Sequence, residues 1–426
     1  MIVLIGTLLV FIIAAAFHAY NSGIATGMQR RRPVLIRDLQ TALEILKKST
    51  LESRAKPNTR LVTAFGIQNA FTTRASNNHR SFMAEVKDLI RIVESEDWRA
   101  ISDRADRVIN GCMGEARYGQ KIQLAPLVQH VVLRMVLALF FGIGLEPQNE
   151  DVGIITEKIN TIWLLSKHPE AASDPKLVEQ KTLLHAAIKR VFSLEQELSI
   201  SPSENPLNII LLAYETLWRV VLRCFLEVCF RSPSGHRSHY GEILRQLCRD
   251  PTIERLEVRQ NYSTTLIALI TQFGQPDNIS DTPELLVSVR DLVSEALRLY
   301  PPTRRIHREL SWQSYAIDVE FLHRAPTIWG DTAMEFRPER WSVLEHDGDI
   351  LKAYMPFSAE RYFCPAAPHV APMLIGVLVA VLFKQFDGNW KVDGEEFQAV
   401  MSSDEPLEGS RDGLEGLQLV REHISY

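Results

Sequence analysis

Cys364 stands in the run Met355-Pro356-Phe357-Ser358-Ala359-Glu360-Arg361-Tyr362-Phe363-Cys364-Pro365-Ala366-Ala367-Pro368, a turn-like segment that leads into an apolar stretch. Pro365 suits a first helical position, where its missing N–H costs nothing, so Cys364 is expected beside a helix N-terminus. Free N–H groups and the helix dipole there favour a thiolate. Arg361 adds positive charge, and Phe357 and Phe363 limit water. The chemistry on offer is that of a soft, anionic metal ligand. A second set is Glu295 and Arg298, three apart on one helical face. Downstream lies Phe336-Arg337-Pro338-Glu339-Arg340-Trp341. If Arg340 folds back on Glu295, one carboxylate is held by two planar donors. A third pair is Glu215 and Thr216, set among Leu212, Ala213, Tyr214 and Leu217. An acid and a hydroxyl are costly among apolar residues unless engaged. Thr216 can bond back to a preceding carbonyl and loosen the helix, making room for a small ligand and water. The plainer alternative is a solvent-facing Glu215 and a satisfied Thr216.

The elements that must position these residues are mostly helical. Apolar spacing predicts helices over 35–46, 81–93 and around Trp98 to Arg107. A long apolar run over 124–143 reads as a core helix, and 154–198 as helix with mixed faces. Ser201 to Pro206 is a linker. The stretch 208–230, apolar on most faces, is expected to be central. A polar loop is expected over 231–239, then shorter helices over 241–273. A helix over 285–300 is stopped by Pro301-Pro302. The best strand candidate is 315–320.

The chain has 426 residues, 46% of them hydrophobic, and a formal net charge of −5. That excludes a basic footprint for nucleic acid. Its 5 cysteines form no CxxC pair and no zinc spacing. No disulfide framework is expected, which points to a reducing compartment. Ile2 to Tyr20 is almost wholly apolar and spans about one hydrocarbon core at helical rise. Residues 1–20 are therefore expected to be a single membrane anchor. Residues 21–33 follow as a basic, proline-ended linker, with Arg30, Arg31 and Arg32 keeping the rest of the chain cytosolic.

The ordered set of motifs carries a resemblance. It runs Glu295-x-x-Arg298, Tyr300-Pro301-Pro302, His323-Arg324-x-Pro326-x-x-Trp329-Gly330-Asp331-x-Ala333-x-Glu335-Phe336-x-Pro338-Glu339-Arg340-Trp341, then the Cys364 loop. In this order it resembles the cytochrome P450 family, most nearly a fungal microsomal member, from about Asn208 to the C-terminus. The resemblance implies a mainly α fold with a small β component over 34–426, behind a single transmembrane helix. It implies haem b, iron protoporphyrin IX, with Cys364 as the proximal thiolate ligand of the iron. Glu295, Arg298 and Arg340 would form the structural triad. Thr216 and Glu215 would deliver protons to bound dioxygen. Arg308, Arg361 and Phe357 would contact the haem, the arginines at its propionates. Electrons would come from NADPH through a flavoprotein reductase, at the endoplasmic reticulum membrane. The implied reaction inserts one oxygen atom into an apolar organic substrate, as in fungal terpenoid, polyketide or alkaloid tailoring.

Departures from the family pattern set up the alternative. Glu360 and Ala366 stand where glycine is usual, and Tyr362 where a basic residue is usual. Glycine serves positions of positive φ or close backbone approach, so a different turn or a poorer pocket is expected. Leu212-Ala213 replaces a smaller pair, and the segment between Trp98 and Thr216 is short. These favour a membrane-tethered haem-binding or scaffold protein without turnover.

Overall fold

The computed structural model describes residues 32–114, 119–144, 149–168, 170–195, 200–261, 286–344 and 348–422. The expected anchor, residues 1–20, and most of the linker lie outside them. The chain begins here with a short strand, β1 (Val34–Ile36), followed by α1 (Leu39–Lys47), α2 (Leu51–Phe65), α3 (Ser76–Ser95) and α4 (Trp98–Met113). Leu35 belongs to the strand, not to the expected helix. Asp38 caps α1 by accepting the Thr41 N–H, so the helix cannot start earlier. Strand β2 (Lys121–Gln123) leads into α5 (Leu124–Phe141). This helix is long and apolar enough to cross a membrane, but 78% of it is buried inside the protein, as a core helix would be.

The expected helix over 154–198 is two helices, α6 (Asn149–Leu165) and α7 (Pro175–Val191). The break has a local cause: Asp174 caps the second helix and Pro175 occupies its first turn. Helix α8 (Leu207–Leu226) is central, as its sequence predicts, and continues into a π-helical turn, Glu227–Arg231. The expected polar loop is mostly helix, α9 (Ser234–Arg249), which starts directly after Pro233. Strands β3 (Gln260–Asn261) and β4 (Leu286–Val287) pair antiparallel. Helix α10 (Val289–Leu299) opens with a Ser288–Asp291 capping box and ends before Pro301-Pro302. Strands β5 (Arg305–Leu310) and β6 (Gln313–Asp318) form a hairpin, and β1 joins β6 in parallel, in the order β1-β6-β5. Helix α11 (Val370–Phe386) follows the Cys364 loop. Strands β7 (Trp390–Asp393) and β8 (Gln418–Arg421) complete a second sheet in the order β2-β8-β7.

The main core is helical. Helix α8 packs on α5 and on α11, and α11 also meets α9 and α10. Gly376 permits the last approach: a Cβ built there would lie 2.9 Å from Val289 Cγ1. The first sheet and α1 form a smaller core around Ile317, Val319 and Met355. Met355 opens the Cys364 loop, so this minor core anchors one end of it while α11 anchors the other.

Candidate active site

Glu295 and Arg298 are fully buried on α10. Arg298 donates Nε to Oε2 at 2.9 Å and Nη2 to Oε1 at 2.8 Å, a bidentate pair. Arg340 adds Nε to Oε1 at 2.9 Å, and the Arg337 N–H and Trp341 Nε1 supply two more donors. Burial pushes the Glu295 carboxyl up, but Arg298, Arg340 and the Arg337 N–H together hold it below the usual range. Arg298 spends its remaining donors on the carbonyls of His323, Ala333 and Glu335. The triad expected from the sequence is therefore present, and it clamps the segment before Cys364.

His323 carries that clamp to the cysteine loop. Its Nδ1 lies 2.9 Å from the Arg298 carbonyl, and its Nε2 accepts the Met355 N–H at 2.9 Å. An acceptor at Nε2 makes Nδ1 the donor, so the ring is neutral. Burial drives its pKa down to about 3. Sequence reasoning placed His323 in a motif but gave it no role. The signal missed was its position on the short helix Val319–Arg324, packed against α10.

The loop itself departs from expectation. Pro365 does not start a helix; residues 365–369 are turn, and α11 begins at Val370. Pro368, three residues on, and the turn bond from the Ala367 N–H to the Cys364 carbonyl delay it. The Cys364 N–H donates to the Phe357 carbonyl at 3.1 Å and closes the loop. Burial raises the thiol pKa, while backbone hydrogen bonds from Ala366 and Ala367 oppose the rise. The expected lowering by a helix N-terminus is replaced by these two loop amides. A thiol desolvated yet faced by two N–H donors is suited to a bound metal ion more than to free thiolate.

Glu360 has φ +57° and Ser358 φ +65°. The turn expected to be lost with glycine is thus kept, with a side chain forced into the left-handed region. Glu360→Gly should relieve that conformation. Against the extra unfolded-state entropy of glycine, the net gain is about 0.5 kcal/mol in urea unfolding. A clear loss instead would show that the Glu360 side chain holds the loop.

Beside the loop, cations gather around Tyr362. The guanidinium groups of Arg54, Arg308 and Arg361 lie 4.4, 5.8 and 5.9 Å from its ring, and His79 meets it edge-on at 6.1 Å. Arg308 Nε donates to Ser49 Oγ at 3.0 Å, and Arg54 donates to the Ala70 carbonyl. Burial lowers Arg54 and Arg308 to about 10 each, with Arg54 repelling Arg308. Burial, then Arg54 and Arg361, also lower His79. Arg54 Nε, His79 Nε2 and Tyr362 Oη are buried without a hydrogen-bond partner among the described residues. Such a cluster is made for an anion with several oxygens. Arg308 and Arg361 were singled out in the sequence as haem contacts. Arg54 and His79 were not, because they come from α2 and α3, far away in sequence.

On α8, Leu212, Ala213, Thr216 and Arg219 share one face and keep accessible surface in an otherwise buried helix. Burial first and the Arg411 cation second lower the Arg219 pKa to about 9. Thr216 Oγ1 lies 2.9 Å from both the Leu212 and the Ala213 carbonyls, the expected back-bonding. Glu215 points elsewhere, its carboxylate paired with Arg411. Glu215 and Thr216, both expected in proton delivery, thus have different partners on α8.

No family model matches the chain. Cytochrome P450 71A18 of Arabidopsis thaliana is 33% identical over 120 residues, 25% of this chain and 23% of that protein. Cytochrome P450 750A1 of Pinus taeda is 30% identical over 129 residues, 26% of this chain and 24% of that protein. The chain thus spans about a quarter of the length of these curated relatives. Over nearly the whole chain the likeness is structural. A six-coordinated cytochrome P450 from Thermus thermophilus superposes with TM-score 0.58 and 15% identity, covering 91% of this chain and 92% of that one. CYP175A1, from another strain of the same bacterium, gives TM-score 0.58 and 16% identity over 93% and 91%. The chain has the cytochrome P450 fold.

A P450 fold implies a haem held by a cysteine thiolate, and the residues present fit one. Cys364 offers sulfur with two amides facing it. Arg54, His79, Arg308, Arg361 and Tyr362 offer cations and unpartnered donors suited to carboxylates at the cofactor's edge. Phe357, half-buried against the main core, lends an apolar wall.

Proposed function

We propose that the protein is a haem-thiolate monooxygenase that inserts one oxygen atom from dioxygen into an organic substrate and reduces the other to water. The balance is substrate C–H, dioxygen, two electrons and two protons giving alcohol and water. The reading includes electrons from NADPH through a flavoprotein reductase. It also includes a membrane-anchored setting at the endoplasmic reticulum and a tailoring role in fungal secondary metabolism. The motif order supports that setting, while the relatives named above are plant proteins.

One observation carries the reading. Cys364 sits in a loop tied through Met355 and His323 to the buried Glu295–Arg298–Arg340 clamp, beside a cationic cluster with orphaned donors. When bound, haem with this thiolate supplies reductive activation of dioxygen. The chain's own parts are distinct. The Ala366 and Ala367 amides stabilise charge on sulfur. Arg54, Arg308 and Arg361 hold the cofactor's carboxylates. Thr216 presents a hydroxyl on the partly accessible face of α8 and can pass a proton there.

The test is the carbon monoxide difference spectrum of the reduced, membrane-expressed protein beside Cys364→Ala. A strongly red-shifted Soret band is expected in the wild type and none in the variant. A well-expressed wild type without a haem band would replace this reading by a scaffold protein.

A further inference from the structure

Helices α2 and α7 leave a groove between them. Its volume is about 550 Å³, the size of a small-ligand site, and it opens to solvent. Val178, Lys181, His185 and Lys189 line it from α7, where spacings of three and four put them on one face. Leu177 adds to its floor, and Thr63 lines the α2 side. Lys181 Nζ donates to the Thr63 carbonyl at 2.9 Å, and His185 Nε2 lies 3.1 Å from the Phe65 carbonyl. The two cationic residues meet at Gly66: a Cβ built there would lie 3.5 Å from His185 Cε1 and 3.6 Å from Lys181 Nζ.

These bonds answer carbonyls at the end of α2 but leave the charge uncompensated. An ammonium has two further N–H groups to give, and among the described residues no Asp or Glu lines the groove. Burial lowers the Lys181 pKa. Burial also lowers that of His185, against the Phe65 carbonyl and with Lys181 and Lys189 as like neighbours. Partly desolvated cations without a counter-ion favour entry of an anion. Beside them Val178 is 59% exposed, an apolar side chain left open on the same face. The donors narrow the head group. No arginine lines the groove among the described residues, so the planar fork that suits a carboxylate is missing. Two flexible ammonium groups, two helical turns apart, can instead close on a tetrahedral oxyanion from both sides. A phosphate monoester, with nearly two negative charges at neutral pH, matches them.

We propose that the groove between α2 and α7 binds a phosphate monoester with an apolar tail, its phosphate between Lys181 and Lys189 and its tail over Val178 and Leu177. The site shares no residue with the Cys364 loop or the Tyr362 cluster and does not depend on the monooxygenase reading. It touches that region through one element: α2 lines the groove at Thr63 and brings Arg54 to the Tyr362 ring.

The experiment is calorimetric titration of the full chain, with phosphatidylcholine nanodiscs present, using hexyl phosphate, hexan-1-ol and inorganic phosphate. Hexyl phosphate is expected to bind roughly tenfold or more tightly than either of the others at low salt, the scale of a charge-assisted hydrogen bond. Added salt should narrow its lead over hexan-1-ol. Lys189→Gln should weaken hexyl phosphate about threefold or more, and Val178→Asp, which puts a like charge against the ligand at an exposed position, more strongly. Partition of the tail into the bilayer is common to all three proteins and cancels. Equal affinity of the wild type for hexyl phosphate and hexan-1-ol overturns the proposal. So does inorganic phosphate binding as tightly as hexyl phosphate, or hexyl phosphate binding that is unchanged in both variants. A second arm separates the sources of the ligand once that preference is seen. Weaker hexyl phosphate binding with phosphatidate discs than with phosphatidylglycerol discs of equal charge supports a bilayer lipid as the occupant. Equal binding in the two supports a soluble ester.

Discussion

Glu295→Ala is expected to cost about 3–5 kcal/mol of stability, the scale for removing one partner from a buried ion pair. The magnitude follows from what is left behind. Arg298 and Arg340 would remain in a site closed to water, with three of their donors stripped of an acceptor. The Arg337 N–H and the Trp341 indole would lose theirs too. At the lower end of the usual range of about 5–15 kcal/mol, the domain would fold marginally or not at all at 37 °C. Arg298→Lys should be nearly as severe. An ammonium cannot bind both carboxylate oxygens and also reach the carbonyls of His323, Ala333 and Glu335. The exposed Glu44–Lys48 pair gives the contrast: Glu44→Ala should leave the unfolding midpoint almost unmoved. Urea unfolding of the purified variants decides it. A Glu295→Ala loss no larger than that of Glu44→Ala would show that the clamp does not hold the fold.

The clamp was legible in the sequence because its two halves are local patterns. Glu295 and Arg298 are fixed by helical spacing, and Arg340 follows a run that cannot continue as helix past Pro338. The cysteine loop was legible in the sequence as a candidate site but not in its shape. A proline after a residue fits a helix start and a turn equally well. The later Pro368 and the Ala367–Cys364 turn bond decide for the turn. Glu360 was expected to change the turn, yet the loop closure between Cys364 and Phe357 imposes the left-handed conformation on whatever residue stands there. The partner of Glu215 was hidden for a different reason. Its partner Arg411 is almost two hundred positions away, and no local pattern links them. The same distance hid Arg54 and His79, and hid the parallel pairing of Leu35 with Ala316.

Lowering the pH from about 6.5 towards 3 should destabilise the protein, and His323→Gln should flatten that dependence. His323 has a folded pKa of about 3, against about 6.5 for an unperturbed histidine. Above 6.5 the ring is neutral in both states and its two hydrogen bonds stand at full value. As pH falls through this window the unfolded chain takes up a proton that the folded protein refuses, so unfolding gains. The slope from one such group approaches about 1.4 kcal/mol per pH unit. The refusal has several sources: burial first, then the Arg298 and Arg324 cations. Tyr354, stacked on the ring at 5.7 Å, shields the site from water. Glutamine keeps an acceptor for the Met355 N–H but cannot titrate. Other depressed groups, His130 and His239 at about 4 and Glu295 below its usual range, act in both proteins. They cancel in the comparison. Urea midpoints at pH 7, 6, 5 and 4 should therefore diverge between wild type and variant, the wild type falling faster. Parallel curves would mean that His323 is protonated in the folded protein. The link from the Glu295 clamp to the cysteine loop would then need another carrier.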